Sequence, residues 1–397
     1  MTAKKNLPEI RFKGFGEEWV EKKIGEFCTE TYGGGTPRTS ETNHWDGDIA
    51  WIQSSDFTKE QLSNVVARKS ITRDGVKHSA TKLIPENSIA IVTRVGVGKL
   101  ALMPYKYATS QDFLSLSKLK VEKWFGVYSI WNKLQGELYA VQGTSIKGIT
   151  KEELLAKQII VPTQNKEQTK IGSYLQQLDT LITLHQKKHD KLLKVKKAML
   201  EKMFPKKGAD APEIRFKDFS EKWEERKLGE VTKITMGQSP NGVNYTNNPE
   251  DYILVQGNAD MKNGLVVPRI WTKQVTKTAD AGDLIFSVRA PVGEIGKSTY
   301  NVVIGRGVAA IRGNEFIFQS LKRMNENGYW KKLSAGSTFD SINSTDLTTA
   351  VISMTNTVEQ TKIGGFFKNL DTLLTLHQSE LDKLKSIKKA SLEKMFV

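Results

Sequence analysis

Cysteine is nearly absent from this sequence, since Cys28 is the only one among 397 residues. A single thiol excludes a disulfide within the chain and a cysteine-rich zinc site. The five histidines are scattered, and His185 and His189, although four residues apart, lack the intervening glutamate of a helical zinc-protease site. We therefore expect no metal-binding residues.

Long apolar segments are absent as well. The sequence has no run of about 18 apolar residues, the length needed to cross a bilayer. Its most apolar region, residues 88–103, contains Arg94 and Lys99. The first residues are not followed by an apolar stretch, so the sequence predicts no signal peptide. We expect a cytoplasmic protein without a membrane partner.

Acidic residues are too few to balance the basic ones. The 59 lysines and arginines exceed the 44 aspartates and glutamates, and the formal net charge is +15 at pH 7. An excess of this size favours a polyanionic partner, nucleic acid first and an anionic membrane surface second. The length is sufficient for two or more domains, each with its own core.

The strongest positive feature of the sequence is an internal repeat. The segment at 8–19 returns with few changes at 212–223, and the segment Glu167-Gln-Thr-Lys-Ile-Gly172 returns unchanged at 359–364. The segments between these blocks differ in length and in sequence. A module duplicated in this way imitates a two-fold dimer, and its two variable parts can address two similar but non-identical targets.

Residues 165–204 and the corresponding C-terminal segment each have the pattern of one long helix. Asn165 with Gln168, and Thr357 with Gln360, have the spacing of a capping box at a helix start. Apolar residues then recur at alternating steps of four and three, which predicts an intramolecular coiled coil, either parallel or antiparallel. The predicted seam consists of Leu175, Leu178, Ile182, His185, Leu192, Phe367, Leu370, Leu374, His377, Leu381 and Leu384.

Two pairs of residues in these helices need a separate interpretation. His185 and His377 occupy equivalent seam positions, where a polar residue more often fixes helix register than binds a ligand. Gly172 and Gly364 fall near the helix starts, where glycine costs about 1 kcal/mol relative to alanine. A close approach of another element would explain both glycines.

The segments between the repeated blocks are β-rich. Short apolar runs bounded by turn residues, such as 49–52, 88–92, 252–255 and 283–287, predict strands. We expect an α+β fold in which two β-rich α/β domains are joined by two long helices that form an intramolecular coiled coil with pseudo-two-fold symmetry. The predicted segments are a first domain at 1–155, a central helical region at 156–207, a second domain at 208–350 and a C-terminal helical region at 351–397.

Motifs for catalysis or cofactor binding are incomplete. Phe12-Lys-Gly-Phe-Gly16 is similar to the methyl-donor loop of amino-methyltransferases, but its repeat at 216–220 has lost both glycines, and the catalytic tetrad of those enzymes is absent. The segment 291–298 differs from a phosphate-binding loop because Pro291 lacks the N–H that the first glycine would supply. We expect no catalytic and no cofactor-binding residues in this chain.

The order of the motifs resembles that of the specificity subunits of type I restriction–modification systems. The resemblance rests on the opening block of each half, on Gly34-Gly-Thr-Pro37, on the strand that precedes Arg289, and on the helix starts at Glu167 and Glu359. It covers essentially the whole chain. Gly237-Gln-Ser-Pro240 departs from the Gly-Gly-Thr-Pro pattern, which we interpret as a different target preference.

The resemblance implies a non-catalytic chain with two target recognition domains, each reading one half of a bipartite, asymmetric site in double-stranded DNA. The helices would then set the length of the unread spacer. The resemblance also implies two kinds of protein partner. Two modification subunits would bind S-adenosylmethionine and methylate adenine N6, and two restriction subunits would use ATP and Mg²⁺ for translocation and cleavage.

Side-chain chemistry indicates which loop residues could contact bases, since arginine and lysine favour guanine whereas asparagine and glutamine favour adenine. The candidate DNA-binding residues are Arg38, Gln53, Ser54, Arg94, Lys99, Lys147, Gln238, Gln256, Asn258, Arg289, Lys297 and Arg306. Two other functions stay open on the sequence alone. One is a coiled-coil adaptor that binds DNA without sequence preference, and the other is an enzyme with nuclease or methyltransferase activity.

Overall fold

The structure is a computed structural model that describes residues 6–140, 148–334 and 340–397. It divides into two units, of which unit 1 comprises Met1–Leu184 and Leu381–Val397, and unit 2 comprises His185–Glu380. The division falls within both long helices, so each unit contains the start of one long helix and the end of the other. The domain boundaries expected from the sequence do not coincide with this division and stay a prediction.

Unit 1 combines three sheets with helices. Its elements in chain order are β1 (Val20–Lys23), β2 (Cys28–Gly33), β3 (Trp45–Ile52), β4 (Lys69–Ile71), α1 (Arg73–Lys77), β5 (Ser88–Val92), β6 (Leu100–Met103), β7 (Tyr107–Thr109), β8 (Phe113–Leu119), α2 (Lys123–Ala140), α3 (Lys151–Ala156), β9 (Gln158–Val161) and the start of α4 (Asn165–Lys202). The strand orders are β2-β8-β5-β6, β4-β3-β7 and β1-β9. Strands β3 and β7 are parallel, and the other pairs are antiparallel.

Unit 2 repeats this arrangement with more and shorter strands. After the end of α4, its elements are β10 (Glu224–Lys227), α5 (Leu228–Val231), β11 (Ile234–Met236), β12 (Tyr245–Thr246), β13 (Tyr252–Val255), β14 (Met261–Lys262), β15 (Leu265–Val266), β16 (Trp271–Thr272), β17 (Lys277–Ala279), β18 (Leu284–Ser287), β19 (Ile295–Lys297), β20 (Val302–Ile304), β21 (Val308–Ile311), α6 (Glu315–Glu326), α7 (Tyr329–Ser334), α8 (Ser344–Thr348), β22 (Val351–Met354) and α9 (Thr357–Lys394). The strand orders are β11-β21-β18-β19-β15-β14, β12-β16-β13-β20-β17 and β10-β22. Mixed sheets and helices in both units confirm the α+β class.

The repeated blocks meet through a buried ion pair in each unit. In unit 1, Arg11 Nε and Nη2 donate to the two carboxylate oxygens of Glu167 at 2.6 and 2.8 Å. In unit 2, Arg215 makes the same two-pronged contact with Glu359 at 2.7 and 2.8 Å. The glutamate side chains are 1% and 0% exposed. Each pair therefore ties the opening block of a half to the start of its long helix.

The glycines near the helix starts permit close packing. A Cβ atom on Gly172 would lie 2.7 Å from the backbone nitrogen of Phe125 at the start of α2. The equivalent atom on Gly364 would lie 3.1 Å from the backbone nitrogen of Phe316 at the start of α6. The close approach expected from the sequence is therefore the reason for both glycines.

The capping boxes expected at the two helix starts are wrong in both copies. Asn356, rather than Thr357, accepts a hydrogen bond from the backbone nitrogen of Glu359 at 2.9 Å. Gln360 donates instead to the carbonyl of Thr355 at 2.6 Å. In the first copy, Gln168 donates likewise to the carbonyl of Pro162 at 2.9 Å. In both copies the glutamine side chain donates to a carbonyl of the loop before the helix, so it does not cap the backbone at the helix start.

The two long helices run antiparallel wherever they meet within a unit. In unit 1, Lys388 Nζ lies 2.5 Å from a carboxylate oxygen of Asp179, and Tyr174 Oη lies 3.4 Å from Ser391 Oγ. In unit 2, Nδ1 of His185 and Nδ1 of His377 are 3.0 Å apart, and Lys196 Nζ lies 2.6 Å from Asp371 Oδ1. In both units a later position on α4 faces an earlier position on α9, which settles the sense that the heptad pattern left open.

The predicted seam residues lie on the inner sides of the helices. The buried ones are Leu175, Leu178, Phe367, Leu370, Leu374 and Leu381, and the half-buried ones are Ile182, His185, Leu192, His377 and Leu384. Leu175 and Leu178 join the main core of unit 1 with Phe125, and Phe367 and Leu370 join that of unit 2 with Phe316. The seam therefore merges into the core of each unit.

The repeated ends of the long helices fill the cores of the units. Leu392, Met395 and Phe396 belong to the main core of unit 1, and Leu200, Met203 and Phe204 to that of unit 2. Backbone hydrogen bonds hold them, since Ile10 donates to the carbonyl of Lys394, and Ile214 to that of Lys202, both at 2.9 Å. Each unit is thus completed by the end of the helix that starts in the other half of the sequence.

Among the described residues, no helix has the length and apolar character needed to span a bilayer.

Breaking the buried ion pair should destabilise the chain strongly. We expect Arg11→Met to cost about 3–5 kcal/mol, because it leaves the Glu167 carboxylate buried without a partner. The double variant Arg11→Met/Glu167→Met should recover most of this loss, since no buried charge remains. Lys222→Met, which breaks an exposed pair with Asp210, is the control and should cost less than about 1 kcal/mol. Chemical denaturation followed by circular dichroism measures all three, and equal losses in the two single variants would contradict the prediction.

Acidification should weaken the paired helices through His377. Burial lowers the pKa of His377 below its ordinary value of 6.5, and the facing His185, with Lys188 and His189, lowers it further. Between the lowered pKa and 6.5 the unfolded chain binds more protons than the folded chain. The contribution of His377 to the free energy of unfolding is therefore full above this pH window and is lost as the pH falls through it. In the His377→Leu variant, the melting temperature should therefore decrease less between about pH 8 and pH 5 than in the unmodified chain. An undiminished slope in His377→Leu, or the same flattening in the control His78→Gln, would rule this out.

Candidate nucleic-acid interface

The strand pairings of the two units show which loop residues correspond. The parallel pair β3–β7 sets Ile52 opposite Thr109, and the parallel pair β13–β20 sets Val255 opposite Ile304. The residue after the first strand is Gln53 in unit 1 and Gln256 in unit 2. Two residues after the second strand the chain carries Gln111 in unit 1 and Arg306 in unit 2.

A further pairing aligns an arginine in each unit. Strands β5 and β8 set Val92 opposite Phe113, and strands β18 and β21 set Ser287 opposite Val308. Two residues beyond Val92 and Ser287 the chain carries Arg94 and Arg289, which are both exposed. Unit 1 therefore presents glutamine, arginine and glutamine at the positions where unit 2 presents glutamine, arginine and arginine.

In unit 2 these positions surround a cavity of about 220 Å³. Three of the sequence-derived candidates line it, namely Gln256, Arg289 and Arg306. The remaining lining residues are Ser239, Tyr245, Gly257, Ser287, Ala290 and Gly307. The ends of β11, β13, β18 and β20 all meet here, so four strands position one polar cleft.

Backbone hydrogen bonds hold the loops around the cleft. The backbone nitrogens of Gln256 and Gly257 donate to Asp260 Oδ2 at 2.7 and 3.2 Å, and that of Arg306 donates to Ser239 Oγ at 3.1 Å. A Cβ atom on Gly307 would lie 2.1 Å from the carbonyl oxygen of Gln256, so the loops approach as closely as glycine allows. The cleft is therefore set by the backbone before any ligand arrives.

The two arginines of the cleft remain available. Arg289 and Arg306 are exposed, and within the described ranges neither guanidinium contacts a carboxylate or a ring. An unpaired guanidinium at the rim of a polar cleft has all its donors free for phosphate oxygens or for the guanine edge. This is the electrostatic arrangement that an anionic ligand requires.

The corresponding loops of unit 1 use similar contacts. The backbone nitrogen of Gln53 donates to Asp56 Oδ2 at 2.9 Å, as that of Gln256 does to Asp260. Thr36, at the position of Ser239, donates through its hydroxyl to Gln111 Oε1 at 2.9 Å. Gln111 was not among the sequence candidates, because only the strand register aligns it with Arg306.

Other candidates are bound within the fold. Lys99 Nζ donates to the carbonyls of Ser54 and Phe57 at 3.3 and 3.0 Å. Lys297 forms an ion pair with Glu315 and lies 4.1 Å from the centre of the Phe318 ring. The ammonium groups of both lysines therefore have partners within the fold. Ser54 opens the short turn at 54–56 that receives Lys99.

The remaining candidates lie on the loops next to the aligned positions. Arg38 is exposed, and its carbonyl accepts from Trp45 Nε1 at 3.1 Å. Gln238 is exposed beside Ser239, and Asn258 is half-buried at the start of the turn that carries Asp260. Lys147 lies outside the described residues.

Comparison with known families identifies the fold. Residues 16–194 and 220–386 match the family described as type I restriction modification DNA specificity domain. These two matches cover most of both units and follow the internal repeat. The chain belongs to this family. The membership confirms the resemblance found in the motifs and makes the chain a specificity subunit rather than a catalytic one.

Relatives named as type I specificity subunits match long segments of this chain. The putative type I restriction enzyme MjaX specificity subunit of Methanocaldococcus jannaschii is 29% identical over 314 residues, which are 74% of this chain and 73% of that protein. The EcoR124I/EcoR124II specificity subunit of Escherichia coli is 30% identical over 198 residues, 46% of this chain and 48% of that protein. The crystal structure of the type I restriction–modification S subunit from M. genitalium has a TM-score of 0.63 at 16% identity and covers 98% of this chain and 99% of that one, so it shares the fold.

Proposed function

We propose that this chain reads a bipartite, asymmetric sequence in double-stranded DNA, with one half read by each unit. The observation that carries the proposal is the pair of aligned loop sets at the strand ends of the two units. They share a backbone frame, a glutamine and an exposed arginine, and they differ at Gln111 and Arg306. A shared frame with different side chains suits two related but unequal half-sites.

The side chains of these loops match base edges in the major groove. Arginine binds guanine O6 and N7 with two hydrogen bonds, and glutamine binds adenine N6 and N7 in the same way. The net charge of +15 supplies the sequence-independent attraction to phosphates that brings a duplex to the loops. Arg306 in unit 2 corresponds to Gln111 in unit 1. Arg306 therefore favours guanine in one half-site at the position where Gln111 favours adenine in the other.

We further propose that the chemistry performed on the DNA belongs to partner subunits. Type I modification subunits would bind S-adenosylmethionine and methylate adenine N6, and restriction subunits would use ATP and Mg²⁺. Family membership and the names of the relatives, which are specificity subunits of type I restriction enzymes, support this division of labour. The chain would then direct two copies of each partner to one site.

The direct test is to map N6-methyladenine in DNA from cells that carry this chain with a modification subunit. Cells with the modification subunit alone provide the background. A two-part motif with a fixed gap, present only with this chain, is the expected result. Absence of new methylation from an assembled complex would contradict the proposal.

Arg306→Ala should relax the choice of base at one position of one half-site. The loss of a two-pronged base contact costs about 1–3 kcal/mol of discrimination, and the other half-site should be unchanged. Arg312→Ala is the matched control. Arg306 precedes β21, whereas Arg312 follows it at the other end of the strand and pairs with Asp280. Methylation mapping of both variants measures the effect. A change in both half-sites, or the same relaxation in Arg312→Ala, would show that Arg306 does not read a base.

A further inference from the structure

Three ligand-type side chains that are distant in the sequence come together in unit 1. His44 ends the short helical turn at Thr42–His44, and Asp74 and His78 lie four residues apart on and beside α1. Their ligand atoms all lie within 4.8 Å of one another. No metal site was expected from the sequence, because strands β3 and β4 bring His44 to α1 only in the folded chain.

The distances among these atoms suit one small cation. His44 Nε2 lies 3.7 Å from Asp74 Oδ2, and His78 Nδ1 lies 2.9 Å from Asp74 Oδ1. In a tetrahedral zinc site with bonds of about 2.0–2.2 Å, ligand atoms are about 3.4 Å apart. These two separations, which involve different oxygens of Asp74, lie on either side of this value, and all three ligand atoms lie within 4.8 Å of one another, so side-chain rotations would bring them to one ion.

The state of His44 is a second and independent observation. Its side chain is 7% exposed, and its Nδ1 is buried without a hydrogen-bond partner among the described residues. Its Nε2 is too far from Asp74 for a hydrogen bond. No hydrogen bond of Nε2 is present among the described residues, so the ring nitrogen that faces Asp74 is available to a cation, while Nδ1 on the other side of the ring stays without a partner.

The backbone holds the three ligands in place. A Cβ atom on Gly75 would lie 2.6 Å from the carbonyl oxygen of His44, so glycine is needed where α1 meets the turn. The backbone nitrogen of Thr72 donates to the same carbonyl at 3.0 Å. Asn43 donates to Asp74 Oδ2 at 3.0 Å and orients the carboxylate, as outer contacts do in metal sites.

We propose that His44 Nε2, the Asp74 carboxylate and His78 Nδ1 bind one divalent cation of the zinc class. Imidazole and carboxylate are ligands that zinc accepts, and zinc has no electronic preference that an irregular three-residue site would violate. The side chains of Asp74 and His78 are 45% and 55% exposed, which gives the ion a path from solvent and leaves a coordination position for water. The ion would cross-link the turn to α1.

The corresponding turn of unit 2 is held differently. The backbone nitrogen of Lys273 donates to the carbonyl of Asn244 at 3.0 Å, as Thr72 does to His44. Asn244 then donates through its side chain to Gln274 Oε1 at 2.9 Å. An amide hydrogen bond does in unit 2 what the cation would do in unit 1, so the two halves of the chain provide an internal comparison.

Zinc titration of the full chain, without a histidine tag and after treatment with a chelator, tests the proposal. Calorimetry with zinc chloride should show one strong site per chain and a raised melting temperature. His78→Ala and Asp74→Asn, both at exposed positions, should each weaken the affinity at least about tenfold. His44→Asn, which copies the residue of unit 2, should do the same, with folding checked by circular dichroism.

His377→Gln is the matched control, because His185 and His377 also face each other and could attract zinc. It should leave the affinity unchanged. Loss of binding in His377→Gln, unchanged affinity in His78→Ala, or failure of the unmodified chain to bind zinc would each overturn the proposal. None of these measurements involves DNA, so they are independent of the proposed function.

Discussion

The frame of this chain depends on a buried carboxylate that has a single arginine as its ion-pair partner. Glu167 and Glu359 lie at the starts of the long helices, where the helix dipole favours a negative charge, and Arg11 and Arg215 neutralise them. Because an unpaired charge at that depth would be costly, neither the arginine nor the glutamate can be replaced alone without a loss of stability. This dependence explains why the arginine and the glutamate recur in both halves while the segments between the repeated blocks have diverged.

Within that frame, the side chains that we propose as base readers lie at the ends of strands. Gln53 and Gln256 have backbone nitrogens fixed by an aspartate a few residues later, so their loops keep one shape in both units. Gln111 and Arg306 occupy the same place in the strand register but offer different hydrogen-bond groups. Under the proposed function, replacing one of these side chains could therefore change the base that is read without disturbing the sheet that carries it.

The sequence was sufficient for the repeat, which follows from comparing its segments, and for the long helices and the α+β class, which follow from local periodicity and short apolar runs. It could not give the sense of the coiled coil, since a heptad pattern has the same spacing in either direction. It did not reveal that Lys99 and Lys297 contact Phe57 and Glu315, because those acceptors are supplied only by the fold. Gln111 and the grouping of His44 with His78 were missed for the same reason, as both depend on strand register.

The exchange of helix ends has a consequence for the order in which the chain can fold during synthesis. Unit 2 is continuous from His185 to Glu380, whereas the core of unit 1 includes Leu392 and Phe396. Domains usually fold in the order in which they leave the ribosome. Here unit 1 is completed by residues that are made after unit 2, so it exposes an unfinished apolar surface until Leu392 and Phe396 are synthesised, and the second unit can mature before the first.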